Sequence, residues 1–250
     1  LSLWILLMSG LQIFNSHAAL YWGQDSRFDR PWLAIGGQPT PSGLRGVVRI
    51  GGMTFDTTGV LGASIERGRM SARAFPAAVT LPGQRYLAVS RRWHFFFAWL
   101  FVINGLIYLV TNAINGHLKR DLAPHRDQIT PRAIWHDIVE HAQLKFPKGD
   151  EARRYNVLQK FTYLAVIFLL LPTVALTGMT MSPSLNATFP FLLDLFGGRQ
   201  SARSIHFICA NLIVLFVIVH VALVILSGFW NNIRSMFTGR YAIETERTAA

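Results

Sequence analysis

The chain has 250 residues, 51% of them hydrophobic and only 15% charged, with a formal net charge of +11. That balance excludes an ordinary water-soluble domain and points to an integral membrane protein. The basic residues lie between apolar segments, without a basic helix or an aromatic platform, so the charge reads as membrane topology and headgroup contact, with no nucleic-acid partner. The single cysteine, Cys209, sits inside an apolar segment and excludes an intrachain disulfide and, lacking partner thiols, a zinc or iron–sulfur centre.

Residues 1–20 begin in apolar sequence and lack the basic leader and small-residue cleavage site of a signal peptide. They read as a first transmembrane helix truncated at its N-terminus. Gly10 within it is a place for close approach of a neighbouring helix or a flat cofactor. Residues 21–90 are polar and rich in turn signals, among them Gly36-Gly37, Gly51-Gly52 and Pro82-Gly83. A connection of that length exceeds an ordinary loop and favours a docking role. It is expected to be an irregular subdomain with short strands at 47–50 and 60–61, and its Arg-rich segment 67–73 suits an acidic partner or plain solvation.

Residues 91–115 form the second transmembrane helix, with Arg91, Arg92, the belt residue Trp93 and His94 at its entrance. The connection 116–155 is strongly charged, and Thr130-Pro131 predicts a short helix running to about residue 144. Its histidines, His117, His125, His136 and His141, read as surface residues. Residues 156–181 form the third transmembrane helix, kinked at Pro172. The connection 182–203 includes residues 189–196, too short to span and suited to the interface. A fourth transmembrane helix covers 204–230, and 231–250 is a tail. The expected fold is an all-α integral membrane protein, a four-transmembrane-helix bundle with an irregular insertion between helices 1 and 2.

Four spans put residues 116–155 and both termini on one side. The segment 116–154 carries eight Lys/Arg in 39 residues and the tail three more, whereas 21–92 carries ten in 72. The denser charge assigns 116–155 to the cytoplasm and 21–90 to the periplasm of a bacterial inner membrane.

The fourth helix carries His206 and His220, fourteen residues apart. At about 100° and 1.5 Å per residue they share one helix face and lie about 21 Å apart in depth. Ionisable residues inside a membrane usually face the bundle and mark a functional site. His94 and His206 each start a span at the outer face, so one metal centre can lie between them. Two neutral imidazoles on opposite sides of a flat macrocycle make a bis-histidine haem, six-coordinate and suited to electron transfer. Arg91, Arg92, Arg199 and Arg203 sit at that level as candidates for the haem carboxylates, Arg203 foremost because it is one turn from His206. His220 needs a partner near the cytoplasmic side, expected immediately upstream of Leu1. The alternative is that the histidines make ordinary interhelical hydrogen bonds in a haem-free membrane anchor or transporter-like bundle.

Trp93-His94-Phe95, Tyr155-Asn156-Val157-Leu158-Gln159-Lys160, Leu176-Thr177-Gly178 through Pro183, Gly197 through Arg203, and the pair His206 and His220 together resemble a known family. It is that of the di-haem cytochrome b subunits of formate dehydrogenases and nickel–iron hydrogenases, with the thiosulfate reductase cytochrome b branch most similar. The resemblance covers all four spans. It implies two b haems, with a first-helix histidine as second ligand of the inner one, which this sequence lacks. It also implies a quinone bound by Asn156 and Gln159, haem faces near Gly178 and Gly105, and a periplasmic molybdopterin oxidoreductase as partner. The implied function is electron transfer between that partner and the quinone pool.

Overall fold

The computed structural model describes residues 1–41, 43–116, 118, 122–124, 129–143 and 157–238. Among them, three helices are long and apolar enough to cross a membrane: Leu87–Ile114, Val157–Met181 and Arg199–Leu226. The apolar helix α1, Ser2–Phe14, is shorter. Along α2 (Leu87–Ile114), Phe96, Trp99, Ile103, Leu106 and Val110 are exposed. A row of large apolar side chains with no protein cover belongs against lipid rather than water. The chain divides into two compact units, one of residues 1–107 and 173–208, the other of residues 108–172 and 209–250.

In the first unit the segment after α1 is not irregular, and the insertion is not α-helical. It forms two antiparallel sheets. Strands β1 (Ala19–Leu20), β2 (Leu33–Thr40), β3 (Gly43–Ile50) and β4 (Met53–Asp56) are neighbours in chain order, and β5 (Ala63–Glu66) pairs with β6 (Arg69–Ala72). Residues 47–50 lie in β3, whereas 60–61, expected as a strand, form a turn. Glycine hides these strands in the sequence. At Gly62 (φ +77°) an added Cβ would lie 2.5 Å from the Gly36 carbonyl oxygen, so this close approach of the segments before β5 and in β2 requires glycine.

Leu20, Leu33, Ile35, Val48 and Ala74 share one core with Phe14 at the end of α1. Leu20 is wholly buried, worth about 2 kcal/mol in removed apolar surface. Phe14 stacks on Phe207 of α8 (Arg199–Leu226), with ring centroids 4.8 Å apart. Asn15 clasps Phe75: its Nδ2 donates to the Phe75 carbonyl at 3.0 Å, and the Phe75 amide donates to its Oδ1 at 2.7 Å. Arg67 and Arg69 are exposed, but Arg73 is not the solvated or partner-facing residue expected of it. Its guanidinium is buried and donates to Glu66 at 2.6 Å, the Gly83 carbonyl at 2.8 Å, Thr80 at 2.6 Å and Gln12 of α1.

The start of α8 is capped from the same subdomain. Gln200 N and Ser201 N donate to the Gly23 carbonyl at 3.0 and 3.1 Å, and Arg199 N donates to Gln24 Oε1 at 2.8 Å. Three first-turn amides that a helix leaves unpaired are thereby satisfied. Gly198 (φ +104°) permits this, since a Cβ there would meet Gly23 backbone at 2.7 Å.

The turn after β4 is closed by Asp56, whose Oδ1 accepts from the Thr58 hydroxyl at 2.7 Å and amide at 3.0 Å. These bonds, with that from Arg45, hold the Asp56 carboxyl at about 2. Its folded value is depressed, so its stabilising contribution is present above the ordinary carboxylate value and is lost as pH falls from about 4 toward 2. Thr58→Ala is expected to move the Asp56 titration midpoint upward in a carboxylate-resolved NMR titration, while Arg45→Gln moves it less.

In the second unit, Pro131 opens α3 (Pro131–Ala142), near the predicted bounds. Asp137 Oδ2 accepts from the Val157 amide at 3.0 Å and so caps α4 (Val157–Ala165). The third long helix carries Pro172, the expected kink site. It widens into a π turn over Val166–Leu170 and resumes as α5 (Leu171–Met181), which accommodates the missing Pro172 N–H. In the first unit, the connection after α5 folds as α6 (Pro183–Thr188) and α7 (Phe191–Leu195). α8 begins before the expected residue 204 and ends at Leu226; Gly228 (φ +115°) separates it from α9 (Phe229–Thr238).

Candidate haem centre

His94 on α2 and His206 on α8 bring their rings to 6.3 Å between centroids, with 62° between their planes. Two imidazoles bound through nitrogen at about 2.0 Å to opposite sides of one metal ion have ring centroids about 6 Å apart. The observed separation therefore fits a shared metal. The rings are also tautomerically poised for it. His94 Nδ1 lies 3.1 Å from the Leu6 carbonyl and His206 Nδ1 lies 2.9 Å from the Val174 carbonyl. A carbonyl only accepts, so each Nδ1 carries the proton and each Nε2 keeps its lone pair for a metal.

Two helices that contribute no ligand shape this pair in the same way. On α1, Ser9 Oγ lies 3.1 Å from His94 Nδ1, and on α5, Thr177 Oγ1 lies 3.2 Å from His206 Nδ1. The next residue is glycine in both. A Cβ at Gly10 would stand 3.3 Å from His94 Cε1, and one at Gly178 would stand 3.4 Å from His206 Cε1. Gly10 and Gly178 thus seat the imidazoles. Gly105, expected beside a haem face, borders open space.

The arginines expected at this end are placed differently from one another. Arg203 donates from Nη1 to the Ala19 carbonyl at 3.0 Å and from Nη2 to the His17 carbonyl, and its guanidinium lies over the Phe14 ring at 5.6 Å. It ties the chain between α1 and β1 to α8. Arg91 is exposed, its guanidinium 5.9 Å from the Phe95 ring centroid.

In the second unit, His220 stacks on Phe216 at 5.5 Å and meets Tyr163 edge-on at 5.9 Å. Among the described residues it has no second imidazole against it. Gln159 lies on α4; Asn156, like His117 and His125, lies outside the described residues. Lys160, next to Gln159, is buried and donates to the Ala123 carbonyl at 3.4 Å.

Three apolar, membrane-length helices, two of them bringing a pair of histidines together, define the class as a multi-pass membrane protein with a candidate haem site. The model of the prokaryotic cytochrome b561 family matches residues 1–239, and the chain belongs to that family. It is also similar to a protein of Azospira oryzae provisionally named protein-methionine-sulfoxide reductase subunit YedZ1. The two are 37% identical over 151 residues, 60% of this chain and 71% of the relative. No solved structure matches.

The glycine seat has a direct consequence. Gly10→Val places two methyl groups where the His94 ring lies and is expected to lower the haem-to-protein ratio severalfold. Gly10→Ala, which needs only a few tenths of an ångström of adjustment, is expected to lower it slightly. Absorbance of the purified variants measures both.

Proposed function

We propose that this protein is the haem b subunit that moves electrons between the quinone pool and a periplasmic oxidoreductase at the bacterial inner membrane. The observation that carries the reading is the His94–His206 pair, with both Nδ1 atoms committed to carbonyls and the rings at metal-sharing distance. When bound, haem would be held by His94 and His206 and would supply a one-electron carrier. Arg91 is the better-placed cation for a haem carboxylate, because two nitrogens of Arg203 are held by the His17 and Ala19 carbonyls. The resemblance to di-haem subunits supports a second haem b with His220 as one ligand, and it supports a four-helix bundle in which α1 is the fourth span.

Asn156 and Gln159 are the proposed quinone contacts. Amide side chains donate to a quinone carbonyl and accept from a hydroquinone hydroxyl, so one pair serves both redox forms. The charge-dense segment 116–155 faces the cytoplasm and the β-subdomain faces the periplasm. That subdomain shares its core with α1 and α8 and caps α8 seven residues before His206, which suits it to seat a redox partner. By resemblance the partner is a molybdopterin oxidoreductase; the reductase-subunit name of the Azospira relative agrees in kind.

The test is reduction of the purified protein by a quinol under anaerobic conditions, followed at the haem absorbance. Rapid quinol reduction, slowed at least 10-fold in Gln159→Leu with unchanged haem content, is expected. A haem that dithionite reduces and quinol does not would remove the quinone from the account.

A further inference from the structure

We infer that Ser9 and Thr177 are positioning residues that lock His94 and His206 as Nδ1–H tautomers and strengthen their donation to a metal at Nε2; this rests on the haem reading above. The geometry is the same on two unrelated helices. Ser9 Oγ is 2.6 Å from the carbonyl oxygen of Ile5, four residues earlier, and Thr177 Oγ1 is 2.6 Å from that of Thr173. Each hydroxyl also lies 3.2 Å from the next carbonyl, Leu6 or Val174. A hydroxyl has one proton, and the shorter contact takes it. Facing the imidazole, Oγ then has only lone pairs, so it accepts from Nδ1–H and cannot donate to a bare Nδ1.

Each Nδ1–H is therefore shared between a hydroxyl and a carbonyl from one helical turn. For His94 the acceptors are Ser9 Oγ and Leu6 O, both at 3.1 Å; for His206 they are Thr177 Oγ1 at 3.2 Å and Val174 O at 2.9 Å. Ser9 and Thr177 are fully buried, so water does not replace them. Accepting hydrogen bonds on the remote nitrogen raise ligand basicity, which favours the oxidised metal. Glycine at the next position completes the unit by letting the ring come close to the turn, with Cε1 only 3.3 or 3.4 Å from where a Cβ would stand. Neither hydroxyl touches the iron site directly. Their role is exerted through the imidazoles.

The experiment compares Thr177→Val, which keeps the shape and loses the hydroxyl, with Thr177→Ser, which keeps the hydroxyl. Haem content, the low-spin ferric EPR signature and an anaerobic redox titration are measured on the full chain. Thr177→Val is expected to keep its haem, shift the midpoint to higher potential, alter the EPR signature and release haem to a scavenger about 10-fold faster. Thr177→Ser is expected to restore all three. Ser9→Ala is an independent repeat through His94, should the α5 variant not accumulate. Potential and EPR signature unchanged in Thr177→Val or Ser9→Ala, with haem still bound, would overturn the inference. Absence of haem from the unsubstituted protein would overturn the functional reading and this inference with it.

Discussion

His206→Ala is expected to strip the haem held between His94 and His206 while leaving the chain inserted and folded, and His94→Ala is expected to do the same. The two rings stand 6.3 Å apart and each is held by its own neighbouring helix, so removing either leaves the other with half a coordination set. The substitutions empty a site rather than a core: the buried cluster beside it, built on Phe14, Leu33 and Val48, is untouched. Pyridine haemochrome analysis measures the loss. A protein carrying a second haem at His220 would fall to about half its haem content in either variant, and the double variant would fall no further. Additive losses would mean that the two histidines serve different centres.

Arg73→Met is expected to produce the largest loss of stability of any single change in the β-subdomain. The guanidinium is buried and serves four acceptors from three segments of chain, Glu66, Thr80 and Gly83, and Gln12 of α1. Removing one partner of a buried ion pair costs about 3–5 kcal/mol, because the other charge stays buried without it. The lower end applies here, since Glu66 keeps about a fifth of its side-chain surface and Arg85 lies 3.8 Å away. Arg73→Lys should not rescue it, because one ammonium cannot reproduce the planar fork that spans these acceptors. Thermal unfolding and limited proteolysis of residues 19–86 in detergent measure the effect. Gln12 lies on the helix that carries Ser9 and Gly10, so partial haem loss should accompany unfolding of the subdomain.

The membrane class and the positions of the long helices were legible because hydropathy is a strong signal over twenty residues. His94 and His206, expected at one level because each begins a span, have ring centroids 6.3 Å apart. The β-subdomain was not legible. Gly36, Gly37 and Gly46 interrupt the alternation that marks a strand, and at Gly46 and Gly62 backbones cross too closely for a Cβ. Arg73 read as one more surface arginine, because nothing in a segment with Arg67 and Arg69 says which of the three turns inward. Ser9 and Thr177 drew no notice in the sequence, because a hydroxyl in a membrane helix ordinarily bonds back to its own backbone. The signal that could have found them was the repeated step of hydroxyl residue followed by glycine, Ser9-Gly10 and Thr177-Gly178, one beside each histidine. The sequence marked Pro172 in the third long helix but not the π turn over Val166–Leu170 just before it, because a proline alone does not say how the hydrogen-bond ladder adjusts to its missing amide.

The most direct measurement is the reduced-minus-oxidised visible spectrum of the purified full chain, set beside that of His206→Ala. The arrangement of His94 and His206 predicts a b-type haem signal that is reduced in the variant. A purified protein with no b-type signal, or a variant whose signal equals that of the unsubstituted chain, would contradict it.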